Sequence, residues 1–154
     1  MTMGLRRWTD DAALARYCGM FERVAVADLP RLDEFFTADA RFVDPFNDAR
    51  GLDQVRAVFA RMFERCTDIR FEVHEAFRAG DIALLHWTMR FRPAPTRAGG
   101  RPGAEWTLHG MSRVVFAADG RVAEHVDHWD TGSQLYAKFP LLGPIIRWLQ
   151  RKLA

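Results

Sequence analysis

The sequence predicts an α+β domain in which helices cover one face of a curved, mostly antiparallel sheet. Apolar residues recur at helical spacing through the first 62 positions, and from residue 69 the pattern switches to period two. Turn-forming Gly, Pro, Asn and Asp clusters separate the periodic runs. Three helices, a four-stranded antiparallel meander and a final helix make this class. Helices on one face of a curved sheet enclose a cone, and a cone has an open mouth.

Each element has its own local reason. Ala13, Tyr17, Met20, Phe21 and Val24 share one helix face; Thr9 is expected to cap it, with Asp10 and Asp11 at its positive end. Asp28 reads as the N-cap of a second, short helix that tolerates Pro30 in its first turn and uses Leu32, Phe35 and Phe36 as its apolar side. A brief extended piece, residues 41–44, ends at Pro45, because the residue before proline is pushed out of the helical region. Asn47, Asp48 and Gly51 mark a turn, and Val55, Val58, Phe59 and Met62 return to helical spacing. Strands follow over 69–73, 82–91, 105–116 and 122–129, with a Pro- and Gly-rich loop at 92–104 and a tight turn before the last. Asp130 is expected to cap a short turn of helix over 133–139. In the final segment Leu142, Ile145, Ile146, Leu149 and Leu153 form a stripe.

With 154 residues and no internal repeat, the chain is read as a single domain, 1–154. Half of it is hydrophobic (49%) and 27% is charged, which excludes wholesale disorder. No apolar run approaches the ~18 residues of a membrane span, and the first residues lack the apolar core of a secretory signal. Cys18 and Cys66 lie in no metal-binding spacing and read as reduced thiols on helices without an adjacent base, in a cytoplasmic protein. The first 137 residues carry a net −2 and the last 17 a net +4. A slightly acidic body argues against a nucleic-acid partner. The basic amphipathic stretch 138–154 either buries its stripe by closing the cone or packing on a partner, or makes a weak contact with an anionic membrane surface.

FFTADARFVDPFNDARGLDQVRAVFARM (35–62) and DGRVAEHVDHWDTGSQL (119–135) resemble the nuclear transport factor 2-like superfamily, in its SnoaL-like and ketosteroid isomerase-like branch. The resemblance covers about residues 10–137. It implies a cone-shaped, cystatin-like fold and a homodimer formed through the outer sheet face. Asp44, in Val43-Asp44-Pro45, falls where the isomerases keep their general base. Their two oxyanion-hole donors fall on Met20 and Ser112, so the base is kept and the oxyanion hole is lost. Such donors are each worth ~2.7–4 kcal/mol in the transition state, which argues against ketosteroid isomerisation by that mechanism. The resemblance also directs His125, Asp127 and Trp129 into the cone, and their shared parity independently requires one face. It places a working aspartate near Asp127, and pocket walls at Trp87, Met89, Phe91, Trp106 and Leu108.

Asp44, Asp127 and His125 are therefore the candidate catalytic residues. Two carboxylates in an aromatic cleft can be driven to different protonation states, with His125 carrying the proton between them or activating water. Asp44 has a structural alternative, as a cap of the following helix or a partner of Arg50. Tyr17, Met20, Trp87, Met89, Trp106, Leu108, Ser112 and Trp129 are the candidate ligand-binding residues. His125, Asp127 and His128 cannot converge from one strand, so no metal site is expected, and no cofactor is called for. His74, His86 and His109 fall on the outer face. Two functions stay open at this point: an isomerase, cyclase or hydrolase of a small apolar molecule, and a non-catalytic ligand-binding or protein-interaction module of the same fold.

Overall fold

The computed structural model describes residues 10–154. Helix α1 (Ala12–Arg23) is capped by Asp11, whose side chain accepts from the Leu14 N–H at 2.9 Å. Thr9, expected in that role, lies outside the described residues. A 3₁₀ helix follows over Val26–Glu34, with Leu32 buried. Asp28 serves this turn from inside it rather than as its N-cap, reaching back to the Ala25 N–H at 2.9 Å. Phe36, read above as helical, is instead the first residue of strand β1 (Phe36–Asp44) and is fully buried.

The sheet has six strands: the four of the meander, β1, which extends the expected piece at 41–44, and one more. The turn expected at 47–51 contains strand β2 (Asn47–Arg50), which pairs antiparallel with β1 before helix α2 (Leu52–Arg65). Then come β3 (Cys66–Ala79), β4 (Ile82–Pro93), β5 (Trp106–Phe116) and β6 (Val122–His128), in spatial order β2-β1-β6-β5-β4-β3. Cys66 thus opens a strand instead of closing a helix. The last four strands form the antiparallel meander that alternation predicts. Strand β1 joins this meander parallel to β6. Nothing in a strand's own sequence announces which distant strand it will lie beside, and β1 alternates weakly.

Two register shifts in β3, one with Asp68 at φ 53°, bend the sheet. The bend opens a concave face, against which α1 and α2 lay Tyr17, Phe21, Val55, Val58 and Phe59. The β3–β4 turn is two residues, with positive φ at Gly80 and not at Asp81, as a type II′ hairpin needs. After β6, Asp130 caps α3 (Thr131–Gln134) through the Ser133 N–H at 3.0 Å, a 3₁₀ turn spans Tyr136–Lys138, and α4 runs from Leu142 to Leu153. No helix among the described residues is long and apolar enough to cross a membrane.

Candidate functional site: a clamped carboxylate at the mouth of an apolar cone

The parallel β1–β6 pairing decides which residues meet. Phe42 lies beside His125 and Val43 beside Val126. One step further, Asp44 and Asp127 are the next residues on neighbouring strands, and parity turns both to the concave side. Both line a cavity of about 550 Å³ that opens between the sheet and α2. Its walls include Phe21, Phe42, Phe59, Phe71, Trp87 and Met89, with Phe91, Leu108, Trp129 and Leu135 also on the apolar lining. Its polar groups are few: Asp44, Asn47, Asp127, and Arg61 and Arg65 one helical turn apart on α2.

Asp127 sits in a hydrogen-bond chain that begins deep in the core. The indole N–H of Trp87 donates to the Ser112 hydroxyl at 2.7 Å, and Ser112 donates to Asp127 Oδ1 at 2.5 Å. His125 Nε2 meets the same oxygen at 2.8 Å, and the Tyr17 hydroxyl meets His125 Nδ1 at 2.9 Å. One proton assignment satisfies every group. A neutral His125 donates from Nε2 to the Asp127 carboxylate and accepts from Tyr17 at Nδ1. Two donors then fall on Oδ1, while Oδ2 has no protein donor among the described residues. The His125 ring is held flat between Phe42 (centroids 4.7 Å, planes 7° apart) and Phe21 (5.2 Å, 24°). It is fully buried, whereas the Asp127 side chain is 16% exposed. Ser112 and His125 border only a void of about 20 Å³ behind Asp127, so Asp127 carries the chain's end to the cavity.

Asp44 is used differently. Its Oδ1 accepts from the N–H groups of Phe46 (2.7 Å) and Asn47 (2.8 Å), and both its oxygens receive the Asn47 side-chain amide. This Asx turn builds the β1–β2 corner. Neither the helix cap nor the Arg50 pair anticipated above is formed; Arg61 binds Asn47 Oδ1 at 3.1 Å and ties the corner to α2.

Among the ligand-binding candidates, Trp87, Met89, Leu108 and Trp129 line the cavity. Tyr17 and Ser112 stand behind it in the chain described above. Met20 is buried in the core and does not reach the cavity. Trp106 is not among the residues that line the cavity; it packs on Phe91 and Phe139 with the Lys138 ammonium 4.8 Å over its ring. Sequence reasoning did not single out Phe42, Arg61 or Arg65 for the site. The helical spacing of Arg61 and Arg65 was visible, but which side of α2 faces the mouth is a tertiary fact. Among the described residues, no group of three His, Cys, Asp or Glu is placed to hold a metal ion.

Gly110 makes the chain possible. It pairs directly with Trp87 across β4–β5, and the indole lies over it to reach Ser112 two residues on. An added Cβ would meet the rigid ring, with Trp87 Cη2 at 2.5 Å. Gly110→Ala is therefore expected to cost about 1–3 kcal/mol by overpacking. It should also break the Trp87–Ser112 bond, read as a shift in tryptophan emission and a lower urea midpoint.

Burial holds two groups here in their neutral forms. The Tyr17 hydroxyl titrates well above the usual tyrosine range, through burial first and then the Asp127 charge. Burial, reinforced by Glu22, pushes the Cys18 thiol up to about 12 from 9.0. Both groups release protons more readily in the unfolded chain, so the unfolded state binds fewer protons at alkaline pH. Their stabilising contribution is complete below pH 9 and is lost as pH rises toward 12 and beyond. Urea midpoints are expected to fall across that window, and the slope to flatten in Tyr17→Phe and in Cys18→Ala.

The fold and this site define a class: an α+β cone of nuclear transport factor 2-like architecture, with a carboxylate at the mouth of an apolar cavity. The chain belongs to the SnoaL-like domain family, whose model matches residues 18–125. Many solved structures are similar in fold, three of them as follows. A nuclear transport factor 2-like protein of unknown function from Exiguobacterium sp. 255-15 is 20% identical, with TM-score 0.63, covering 77% of this chain and 98% of its own. A ketosteroid isomerase-like protein from Catenulispora acidiphila DSM 44928, solved with trimethylamine, is 16% identical with TM-score 0.64, covering 81% and 90%. A protein of Shewanella denitrificans OS-217 provisionally named a SnoaL-like polyketide cyclase is 18% identical with TM-score 0.65, covering 84% and 98%. A search of curated proteins found no match.

Proposed function

We propose that this protein is a cofactor-independent acid–base enzyme acting on a small apolar molecule held in the cone, with Asp127 as the proton-transfer group. The observation that carries this reading is the division of labour on Asp127. Oδ1 is clamped by Ser112 and His125, and the carboxylate as a whole lines a 550 Å³ cavity whose walls are mostly aromatic and aliphatic. Two donors on one oxygen orient the group, and a low-dielectric wall strengthens its interaction with any polarised C–H bond. The step is proton removal from carbon next to a carbonyl, with return of the proton to the same carbon or to a conjugated one. A cyclase shares only the removal: its carbanion attacks a second carbonyl carbon, and the proton passes to the alkoxide oxygen formed there. Met20 and Ser112 supply no oxyanion hole, so developing negative charge at the carbonyl oxygen is assigned to Arg61 and Arg65 at the rim. His125 and Tyr17 act as positioning residues behind Asp127, and Asp44 as the architect of the neighbouring corner. The ligand is accordingly a flat or elongated lipophile with a polar end.

The alternative is a binding module of the same fold that performs no chemistry. A panel of polycyclic and terpenoid ketones incubated with the protein in D2O separates the two, with the α-C–H signals followed by NMR. Protein-dependent exchange of at least one ketone is expected. Ketones that bind, by quenching of Trp87 and Trp129 fluorescence, yet exchange no faster than in buffer would support the binding module and overturn the enzyme. The homodimer belongs to the outer sheet face in this reading, where Phe77, Leu84 and Met111 stand half exposed.

A further inference from the structure

Helix α4 is mounted with its apolar side outward. Its inner side carries Gly143, Arg147 and Gln150 together with Ile146, the one half-buried large apolar residue of the helix. Gly143 is buried against the 3₁₀ turn, so close that an added Cβ would lie 2.5 Å from the Ala137 carbonyl oxygen. Arg147 donates to that same carbonyl at 3.3 Å, and the Gln150 amide donates to Ser133 Oγ at 2.9 Å. These contacts hold that face to the domain. On the opposite side Leu142, Ile145, Trp148, Leu149 and Leu153 are each at least 41% exposed. The stripe neither closes the cone nor covers the sheet, contrary to the burial that most amphipathic helices achieve.

We infer that this face docks on an anionic lipid surface. Charge selects that occupant. Arg151 and Lys152 are exposed at the end of the helix and accompany Lys138 and Arg147 in a stretch, 131–154, that holds no Asp or Glu. Leucines and isoleucine with a tryptophan on one side and cations beside them are the makings of a helix that lies in the headgroup region. A second copy suits the face less well. Pairing α4 with itself would bring like charges together with no carboxylate between them. One side of an ~18 Å helix also falls well short of the ~800 Å² per partner that a stable dimer buries. The helix is too short to span a bilayer and so rests on it. It follows shortly after Leu135, which lines the cavity, so a lipophile dissolved in the bilayer would lie near the mouth.

The test is co-sedimentation of the full chain with large vesicles of phosphatidylcholine alone and of phosphatidylcholine mixed with phosphatidylglycerol, at low and high salt. Binding is expected only to the mixed vesicles and is expected to weaken with salt. Arg151→Gln combined with Lys152→Gln should weaken it about 25-fold, roughly fivefold per cation. Ile145→Ser combined with Trp148→Ser should abolish it while leaving the circular dichroism melt unchanged, since both side chains are exposed. Equal binding to neutral vesicles, no binding to either, or binding indifferent to both double variants would overturn the inference. So would concentration-dependent self-association that Ile145→Ser/Trp148→Ser removes, which would make a second copy the occupant. None of these readouts depends on catalysis at Asp127.

Discussion

Asp127→Asn is expected to slow ketone C–H exchange by about 10²–10⁴-fold while leaving ligand affinity within about twofold. The substitution is unusually clean at this position. The asparagine carbonyl oxygen can take the place of Oδ1 and keep the bonds from Ser112 and His125, so the group stays oriented. What changes is the second heteroatom, which becomes an NH₂ and can no longer receive a proton. A fall in exchange with unchanged fluorescence quenching assigns the loss to chemistry rather than to the fold or the cavity. Exchange within tenfold of the parent would remove Asp127 from the role and move attention to Asp44, the other carboxylate on the cavity wall.

His125→Ala is expected to cost about 2–5 kcal/mol of stability, measured as a lower urea midpoint with an unchanged slope. Two losses combine. The ring fills the space between Phe21 and Phe42, and its removal leaves a hole that two aromatic faces cannot close. The Tyr17 hydroxyl, fully buried, loses its partner, and a buried donor left unpaired costs about 1–3 kcal/mol by itself. His125→Phe separates the terms, because it restores the stacking but not the hydrogen bonds and should recover only part of the stability. His128→Ala, on the exposed end of the same strand, should stay within about 0.5 kcal/mol of the parent.

His125 also illustrates what sequence reading can and cannot reach. Its parity with Asp127 and Trp129 put all three on one face, and that alternation follows from strand geometry alone. Its partners could not be read the same way. Tyr17 is 108 residues away, and Phe42 meets it only because β1 lies parallel to β6. Asp44 shows the opposite case. Its candidacy rested on the resemblance, which sets it where the isomerases keep their general base, and its contacts turn out to be local, to Phe46 and Asn47, within reach of any turn analysis. Strand β2 was hidden in a segment whose Asn, Asp and Gly look like loop.

By itself, the sequence determined the helices and meander strands, the inward face of β6, and the basic amphipathic character of the last helix. Each of these is a periodic or compositional property carried by neighbouring residues. Only the tertiary structure decided the parallel seating of β1, the cavity shared by Asp44 and Asp127, and the outward-facing stripe of α4. Those depend on which distant backbones lie side by side. Pairing across a sheet and docking of a helix are settled by the burial of the whole chain, not by any local segment of it.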